Sequence, residues 1–139
     1  MNNRKDLNFL LQECSFKSLK KVCDEVTNSH KIEIVEKPNL YTVLVPVKDP
    51  ISGGSFYVGE VLTTRCIVRI DEKHMGWAMV YDENYEMANY VAILDAAYGA
   101  GFFIEKIDNL LAEGRNNFVL KKRYINQYAH STKVEFDLM

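Results

Sequence analysis

Charged side chains within a predicted strand are the residues of this sequence best suited to chemistry. The segment from Phe56 to Ile70 is rich in β-branched and aromatic residues, which predicts β structure. It nevertheless contains Glu60, Arg65 and Arg69, and buried charges need partners. Alternation along a regular strand puts both arginines on one face and Glu60 on the other. A bulge or bend near Gly59 would bring Glu60 and Arg65 to one side.

A carboxylate beside an apolar helix stripe is the second candidate. Asp95 lies about 40° around a predicted helix from Val91, which belongs to the stripe. The stripe consists of Met87, Val91, Leu94 and Tyr98. A carboxylate in this position usually has a partner, and Arg65 or Arg69 is the one we expect. We therefore predict an ion pair that ties helix to sheet in preference to a catalytic role.

The remaining reactive side chains do not assemble a catalytic or metal site. The histidines, which lack metal-ligand spacing, are interpreted as surface residues: His30, His74 and His130. The cysteines form no CxxC motif and are odd in number, so we expect small buried side chains: Cys14, Cys23 and Cys66. Gly53-Gly54 lies outside any phosphate-binding motif and favours a hairpin loop.

The elements that must position these residues form an α+β pattern. We predict helices over 6–14 and 15–29, strands over 31–36, 41–47, 56–70 and 76–81, helices over 84–98, 102–112 and 116–129, and a final strand over 133–138. Ser15 is expected to cap the second helix, Asp82 or Asn84 to start the helix that runs to residue 98, and Gly99 and Gly101 to end it. A turn is predicted at Pro38-Asn39, and Gly114 is expected to break a helix. Short connections between sequential strands favour an antiparallel meander. Residues 1–139 are therefore interpreted as one domain with an N-terminal helical pair.

The C-terminal segment leaves two interpretations open. Lys133 to Leu138 alternates strictly between polar and apolar residues, with Val134, Phe136 and Leu138 on one face. This face either packs on the chain's own sheet or augments the sheet of a partner. The basic Lys121-Lys122-Arg123 run is predicted to be solvated, with an acidic partner as the alternative.

Composition excludes several classes of function. The chain has 139 residues, a net charge of −2, 47% hydrophobic and 26% charged residues, which is typical of one soluble domain. Without a strongly basic surface, duplex nucleic acid is not an expected partner. No apolar run approaches the roughly 20 residues of a membrane helix. The N-terminus lacks a signal-peptide core, so we expect a cytoplasmic protein.

Four features in a fixed order carry a resemblance to a known family. The strand reads Val58-Gly59-Glu60 and then Thr64-Arg65-Cys66-Ile67-Val68-Arg69, and Gly76 starts the next strand. Leu94-Asp95-Ala96 follows in a helix, and the ending is His130-Ser131-Thr132-Lys133-Val134-Glu135-Phe136. From about Tyr41 to the C-terminus the chain resembles PhnG, a subunit of the bacterial carbon–phosphorus lyase system. The family tends to carry arginines where this chain offers Lys48, and a basic turn where this chain has the acidic Tyr81–Asn84.

The resemblance implies a cooperative function. The family's complex displaces adenine from MgATP with methylphosphonate, giving ribose 1-methylphosphonate 5-triphosphate. PhnG has no assigned catalytic residue, so this subunit would bind no cofactor of its own, and MgATP would be a substrate of the complex. The expected partners are sister Phn subunits. The alternative is a free-standing, homo-oligomeric module that binds a small molecule in a pocket contributed by Arg65 and Arg69.

Roles for individual residues follow from this interpretation. Three sets of residues are distinguished: a structural or interface network of Glu60, Thr64, Arg65 and Asp95; possible anion contacts at Lys48 and Arg69; and partner docking through Val134, Phe136 and Leu138. No catalytic residue and no metal ligand are assigned. Whether the isolated chain self-associates is left open.

Overall fold

In the part of the chain that the structure describes, four helices and a three-stranded antiparallel sheet make up the fold, which confirms the α+β class. The computed structural model describes the backbone of residues 4–48 and 51–138, and their side chains except those of 45, 47, 48, 55–58 and 127–138. The elements are α1 (Arg4–Gln12), α2 (Phe16–Ser29), β1 (Ile32–Lys48), β2 (Ser55–Ile70), β3 (His74–Tyr81), α3 (Tyr85–Ala100) and α4 (Ile104–Leu138).

The sheet has one face covered by helices and one face open. The strand order is β1-β2-β3, so the predicted meander is confirmed. The covered inner face carries the fully buried side chains Cys66, Val68, Ile70, Ala78 and Val80, and α3 packs on it. The side chains between them point the other way, as the period of two in a strand requires. We call this the outer face, formed by Thr63, Arg65, Ile67 and Arg69 of β2 and by Met75, Trp77, Met79 and Tyr81 of β3.

Helix ends follow local sequence signals. Ser15 caps α2 by accepting a hydrogen bond from the Ser18 amide, and Asn84 caps α3 by accepting one from the Met87 amide. Gly101 ends α3 with φ of 87°, in the left-handed region that glycine adopts without steric cost. The predicted starts of both helices and the glycine stop are therefore confirmed.

The turn predicted at Pro38-Asn39 is wrong. The structure continues β1 as a 17-residue strand through this point, with register shifts between Ile34 and Glu36 and between Glu36 and Asn39. Because β1 is an edge strand, a proline that lacks an N–H can be accommodated at such an irregularity without breaking the pairing.

Gly114 does not end a helix, contrary to the prediction. It lies inside α4, where a Cβ atom would stand 2.1 Å from the Leu10 carbonyl oxygen. The glycine therefore allows close approach of α1 to α4.

In place of the predicted final strand, α4 continues to Leu138. Extending a helix that already exists adds a hydrogen bond per residue without a new nucleation cost, whereas a terminal strand needs a free sheet edge.

The free edge of β3 is closed by side chains from α1. The Asn8 amide nitrogen donates to the Trp77 carbonyl at 3.0 Å, and its oxygen accepts from the Met79 amide at 2.8 Å. Gln12 repeats the pattern one turn later, donating to the Met79 carbonyl at 3.2 Å and accepting from the Tyr81 amide at 3.0 Å. Primary amides can do this because each carries both a donor and an acceptor. The two side chains take the place of a fourth strand.

Two charged side chains extend the same edge. Arg4 donates to the Met75 carbonyl at 3.0 Å, and Asp95 of α3 accepts from the Trp77 amide at 3.0 Å. Arg4, Asn8 and Gln12 are spaced four residues apart and therefore share one side of α1. The adjacent stripe of α1 carries the buried Leu7 and Leu11, so the helix bonds the sheet edge and packs in the core at once.

Replacing the first amide tests this edge. Asn8→Ala removes two hydrogen bonds to β3, and we expect the free energy of unfolding in urea to fall by about 1–2 kcal/mol. Asn28→Ala, at an exposed position of α2, is the control and should change it by less than about 0.5 kcal/mol. Equal stability of the two variants would contradict the bracing role of Asn8.

The packing role of Gly114 can be tested by a substitution that helix propensity alone would favour. Gly114→Ala should destabilise the protein by about 2 kcal/mol or more, because its Cβ would collide with the backbone at Leu10. Ala112→Gly, at an exposed position two residues earlier, should cost only about 1 kcal/mol through propensity. Thermal unfolding of both variants measures the difference, and a stabilising Gly114→Ala would refute the close contact.

Candidate functional site

Arg65 lies at the centre of a small charged cluster on the outer face. Its Nη2 is 3.4 Å from each carboxylate oxygen of Glu36, and its guanidinium carbon lies 4.4 Å from the centroid of the Tyr41 ring. The Tyr41 hydroxyl donates to Glu36 at 2.7 Å. The buried Arg65 Nε has no hydrogen-bond acceptor among the described residues. Arg65 is thus held by one carboxylate and by stacking on an aromatic ring.

The β1–β2 register explains why Glu36, and not Glu60, is the partner of Arg65. Pairing skips one residue of β2 between Tyr57 and Gly59, so the predicted bulge near Gly59 is confirmed. It lies before both Glu60 and Arg65, however, and the pairing between those two residues is regular. They therefore stay on opposite faces, and the expectation that the bulge unites them is wrong.

The cluster changes the acidity of its members. Hydrogen bonding from the Tyr41 hydroxyl, followed by the charge of Arg65, lowers the pKa of Glu36 below its usual value of 4.5. The same hydrogen bond to the carboxylate raises the pKa of Tyr41. Both shifts keep Glu36 ionised and Tyr41 protonated at neutral pH, which suits a static ion pair and not proton transfer.

Arg69, one of the two expected anion contacts, is already paired. Its Nη1 lies 3.6 Å from a carboxylate oxygen of Glu33, and 38% of its side chain is exposed. The Lys48 side chain is outside the described residues. Arg65 and Arg69 therefore lie in line on the open sheet face, each beside a glutamate of β1. The pocket that the alternative function places at these two arginines stays a prediction.

Asp95 is buried and tied to the edge of the sheet. It is 2% exposed, accepts from Arg4 Nε at 3.1 Å and also accepts from the Trp77 amide. The expected partners, Arg65 and Arg69, lie on the outer face, while Asp95 approaches from the helical side. The expected ion pair between helix and sheet is present with a different arginine, because α1 brings Arg4 to the end of β3.

Gly76 and Asp95 belong to the same contact. A Cβ at Gly76 would lie 2.3 Å from the Ala92 carbonyl oxygen and 2.4 Å from the Ala96 amide nitrogen of α3. Only glycine permits α3 to come this close to β3, and the approach places Asp95 against the Trp77 amide. Two separate sequence features, Gly76 and Leu94-Asp95-Ala96, thus meet at one point.

Thr64 has a structural position. Its fully buried hydroxyl donates to the Asp82 carbonyl at 2.7 Å and accepts from the Asn84 amide at 3.0 Å. It therefore fixes the connection that leads into α3. The structure separates the four residues of the predicted network: Asp95 and Thr64 brace α3, Arg65 pairs on the outer face, and Glu60 is exposed.

Nucleophiles and metal ligands do not assemble in the described part of the chain. Burial raises the pKa of Cys66 to about 11 and those of Cys14 and Cys23 to about 12, so all three are protonated thiols, buried as predicted. His30 is bonded to Asp71 at 2.7 Å and stacked on Phe102, which is a packing role. The described residues contain no group of three potential metal ligands.

Sequence reasoning missed Arg4, Glu36 and Tyr41. The signal for Arg4 was available in its spacing with Asn8 and Gln12, since three polar side chains on one stripe of a short helix suggest a common target. Glu36 and Tyr41 had no comparable signal, because two irregularities in β1 set their register.

The predicted docking residues Val134, Phe136 and Leu138 have side chains outside the described residues, so docking by them stays a prediction. No helix in the described residues is long and apolar enough to span a membrane.

The Glu36 cluster predicts a pH-dependent stability difference. Because folding lowers the pKa of Glu36, its stabilisation is present above the unfolded pKa and is lost as pH falls through the folded value. Glu36→Gln should therefore be less stable than the native chain at pH 7, and the difference should shrink below about pH 4. Urea unfolding of both chains at pH 7 and below about pH 4 measures this stability difference. The control is Glu60→Gln, exposed on the same sheet, and a pH-independent difference for Glu36→Gln would exclude the cluster.

Comparison with known proteins bears on the identity of the chain. A search of curated proteins gave no match. The family model described as phosphonate metabolism protein PhnG matches residues 2–139, essentially the whole chain. The chain therefore belongs to the PhnG family, which places it in phosphonate metabolism with the carbon–phosphorus lyase complex.

Proposed function

We propose that this chain is a non-catalytic subunit of the complex that transfers methylphosphonate to the ribose of MgATP with release of adenine. The product of that complex would be α-D-ribose 1-methylphosphonate 5-triphosphate, an intermediate on the route to carbon–phosphorus bond cleavage. The chain would bind sister Phn subunits and shape the site where ATP and phosphonate meet. It would hold no cofactor itself. Family membership supports a role for this chain in the phosphonate-metabolism complex.

The long helix α4 carries this proposal. It has 35 residues, which corresponds to about 52 Å at 1.5 Å per residue. Among the side chains of α4 that the structure describes, which end at residue 126, the buried ones are Ile107, Leu110, Leu111 and Gly114, all in the first third of the helix. Beyond them the apolar side chains Val119, Leu120, Tyr124 and Ile125 are 42–71% exposed. A helix that leaves its core while still carrying apolar residues is suited to packing on another protein.

Co-expression with the sister core subunits tests the proposal directly. Size exclusion with light scattering should show the chain co-eluting with them in a defined stoichiometry. If the sister subunits assemble without this chain, and the chain elutes alone, the proposal is wrong. Truncation after Thr132 extends the test to the predicted docking tail: loss of co-elution with unchanged stability supports docking, whereas lowered stability with intact co-elution means that the tail packs on its own chain.

Substitutions on α4 test the observation that carries the proposal. Leu120→Glu with Tyr124→Glu should weaken co-elution with the sister subunits, because two charges would replace apolar contacts. Both side chains are exposed, so the free energy of unfolding of the isolated chain should change by less than about 1 kcal/mol. Phe16→Glu, at a 40% exposed position on α2, is the control and should co-elute normally. Normal assembly of the double variant would remove α4 from the interface.

A further inference from the structure

We propose that the outer face of the sheet is a second docking surface, and that its occupant is a sister subunit presenting an apolar patch with a carboxylate beside it. This inference rests on the proposed function, because it assumes that the chain works in a complex. It concerns a surface distinct from α4 and from the tail.

The outer face is unusually apolar for an exposed surface. All four outward side chains of β3 are apolar or aromatic and exposed: Met75 47%, Trp77 49%, Met79 36% and Tyr81 59%. Ile67, which pairs with Trp77 in the register, adds a partly buried apolar side chain on β2. Single exposed apolar residues are ordinary, but a contiguous row on one strand marks an interaction site.

Two cavities lie beside the apolar row of β3 side chains. A cavity of about 310 Å³ lies among residues of β1, β2 and β3, and one of about 170 Å³ lies between the sheet and α1. Both are lined by Thr63, Met79 and Tyr81, so they adjoin. Together they give the face relief into which side chains of a partner can pack.

Partner binding at this side of the sheet must use the face and not the edge. The amide and carbonyl groups along the free edge of β3 are bonded to Asn8, Gln12, Arg4 and Asp95. A partner strand that added to β3 would have to displace α1, which is anchored in the core. A partner that covers the side chains of the outer face does not have to displace α1.

Family membership favours a sister subunit over a second copy of this chain as the occupant, because the PhnG family implies a complex with other subunits. The crosslinking experiment below separates the two occupants. Charge does not separate them, because Arg65 and Arg69 each lie beside a glutamate of β1, so that a second copy would present charges of both signs.

The same arginines indicate what a partner must present. Each is 38–40% exposed and pairs with its glutamate at the long distances of 3.4 and 3.6 Å. A guanidinium with unused donors forms a stronger, bidentate pair with a well-placed carboxylate. A surface that covers Trp77 and Met79 with apolar groups and presents a carboxylate to Arg65 therefore fits the outer face.

A charge substitution on β3 tests this surface in the co-expressed complex. Met79 pairs with Arg65 in the register, so the fold can compensate a glutamate at position 79 through a cross-strand ion pair. A partner with an apolar patch and a carboxylate would be repelled. We expect Met79→Glu to weaken assembly by about tenfold or more, and the matched Phe16→Glu, 40% exposed on the helical side, to leave it unchanged. Circular dichroism and urea unfolding of the isolated variants verify that both are folded.

A photo-crosslinking residue at position 77 identifies the occupant and keeps the proposal testable if Met79→Glu fails to fold. A crosslink to a sister subunit supports the proposal. A crosslink only to a second copy of the chain, or none in an assembled complex, overturns it, as does normal assembly of folded Met79→Glu. Failure of the native chain to assemble with its sisters would instead overturn the proposed function, so the two failures are distinguishable.

Discussion

The edge of β3 is the constraint on which the remaining structure depends. A three-stranded sheet exposes a row of unpaired amides and carbonyls, and this protein satisfies the row on β3 with side chains instead of another strand. Asn8 and Gln12 supply donors and acceptors in the spacing of the strand because four helical residues rise about 6 Å, which is close to the rise of two residues of β structure, about 6.7 Å. Once α1 is bound there, Arg4 necessarily reaches Asp95, and the orientation of α3 on the sheet follows.

The features that carry the family resemblance prove to be mainly architectural. Gly76 and Asp95 lie at one point, where backbone contact between β3 and α3 is closest and where the carboxylate meets the Trp77 amide. Thr64 of β2 fixes the start of α3 by accepting a hydrogen bond from the Asn84 amide. These residues of the sequence pattern therefore determine how α3 packs on the sheet.

Apolar side chains are buried on the helical side of the sheet, whereas other surfaces leave apolar side chains exposed. The core between α3 and the inner face is closed, and its large side chains are fully buried. The outer face and the stretch of α4 from Val119 to Ile125 keep exposed apolar side chains that solvent does not favour. This asymmetry is the physical reason to regard the chain as part of an assembly within the PhnG family's metabolic role.

Local signals in the sequence determined the class of fold, the helix caps at Ser15 and Asn84, the stop at Gly101 and the bulge near Gly59, because each depends on neighbouring residues or on simple periodicity. They also marked Asp95 as a carboxylate that needs a partner. Only the tertiary structure decided which partner it has, since Arg4 is 91 positions away in sequence and reaches it through the packing of α1. The pairing of Arg65 with Glu36 depended on irregularities in β1, and the continuity of α4 through Gly114 on a backbone contact with α1. Register and contacts between distant elements arise only when the whole chain packs, so no local pattern contains them.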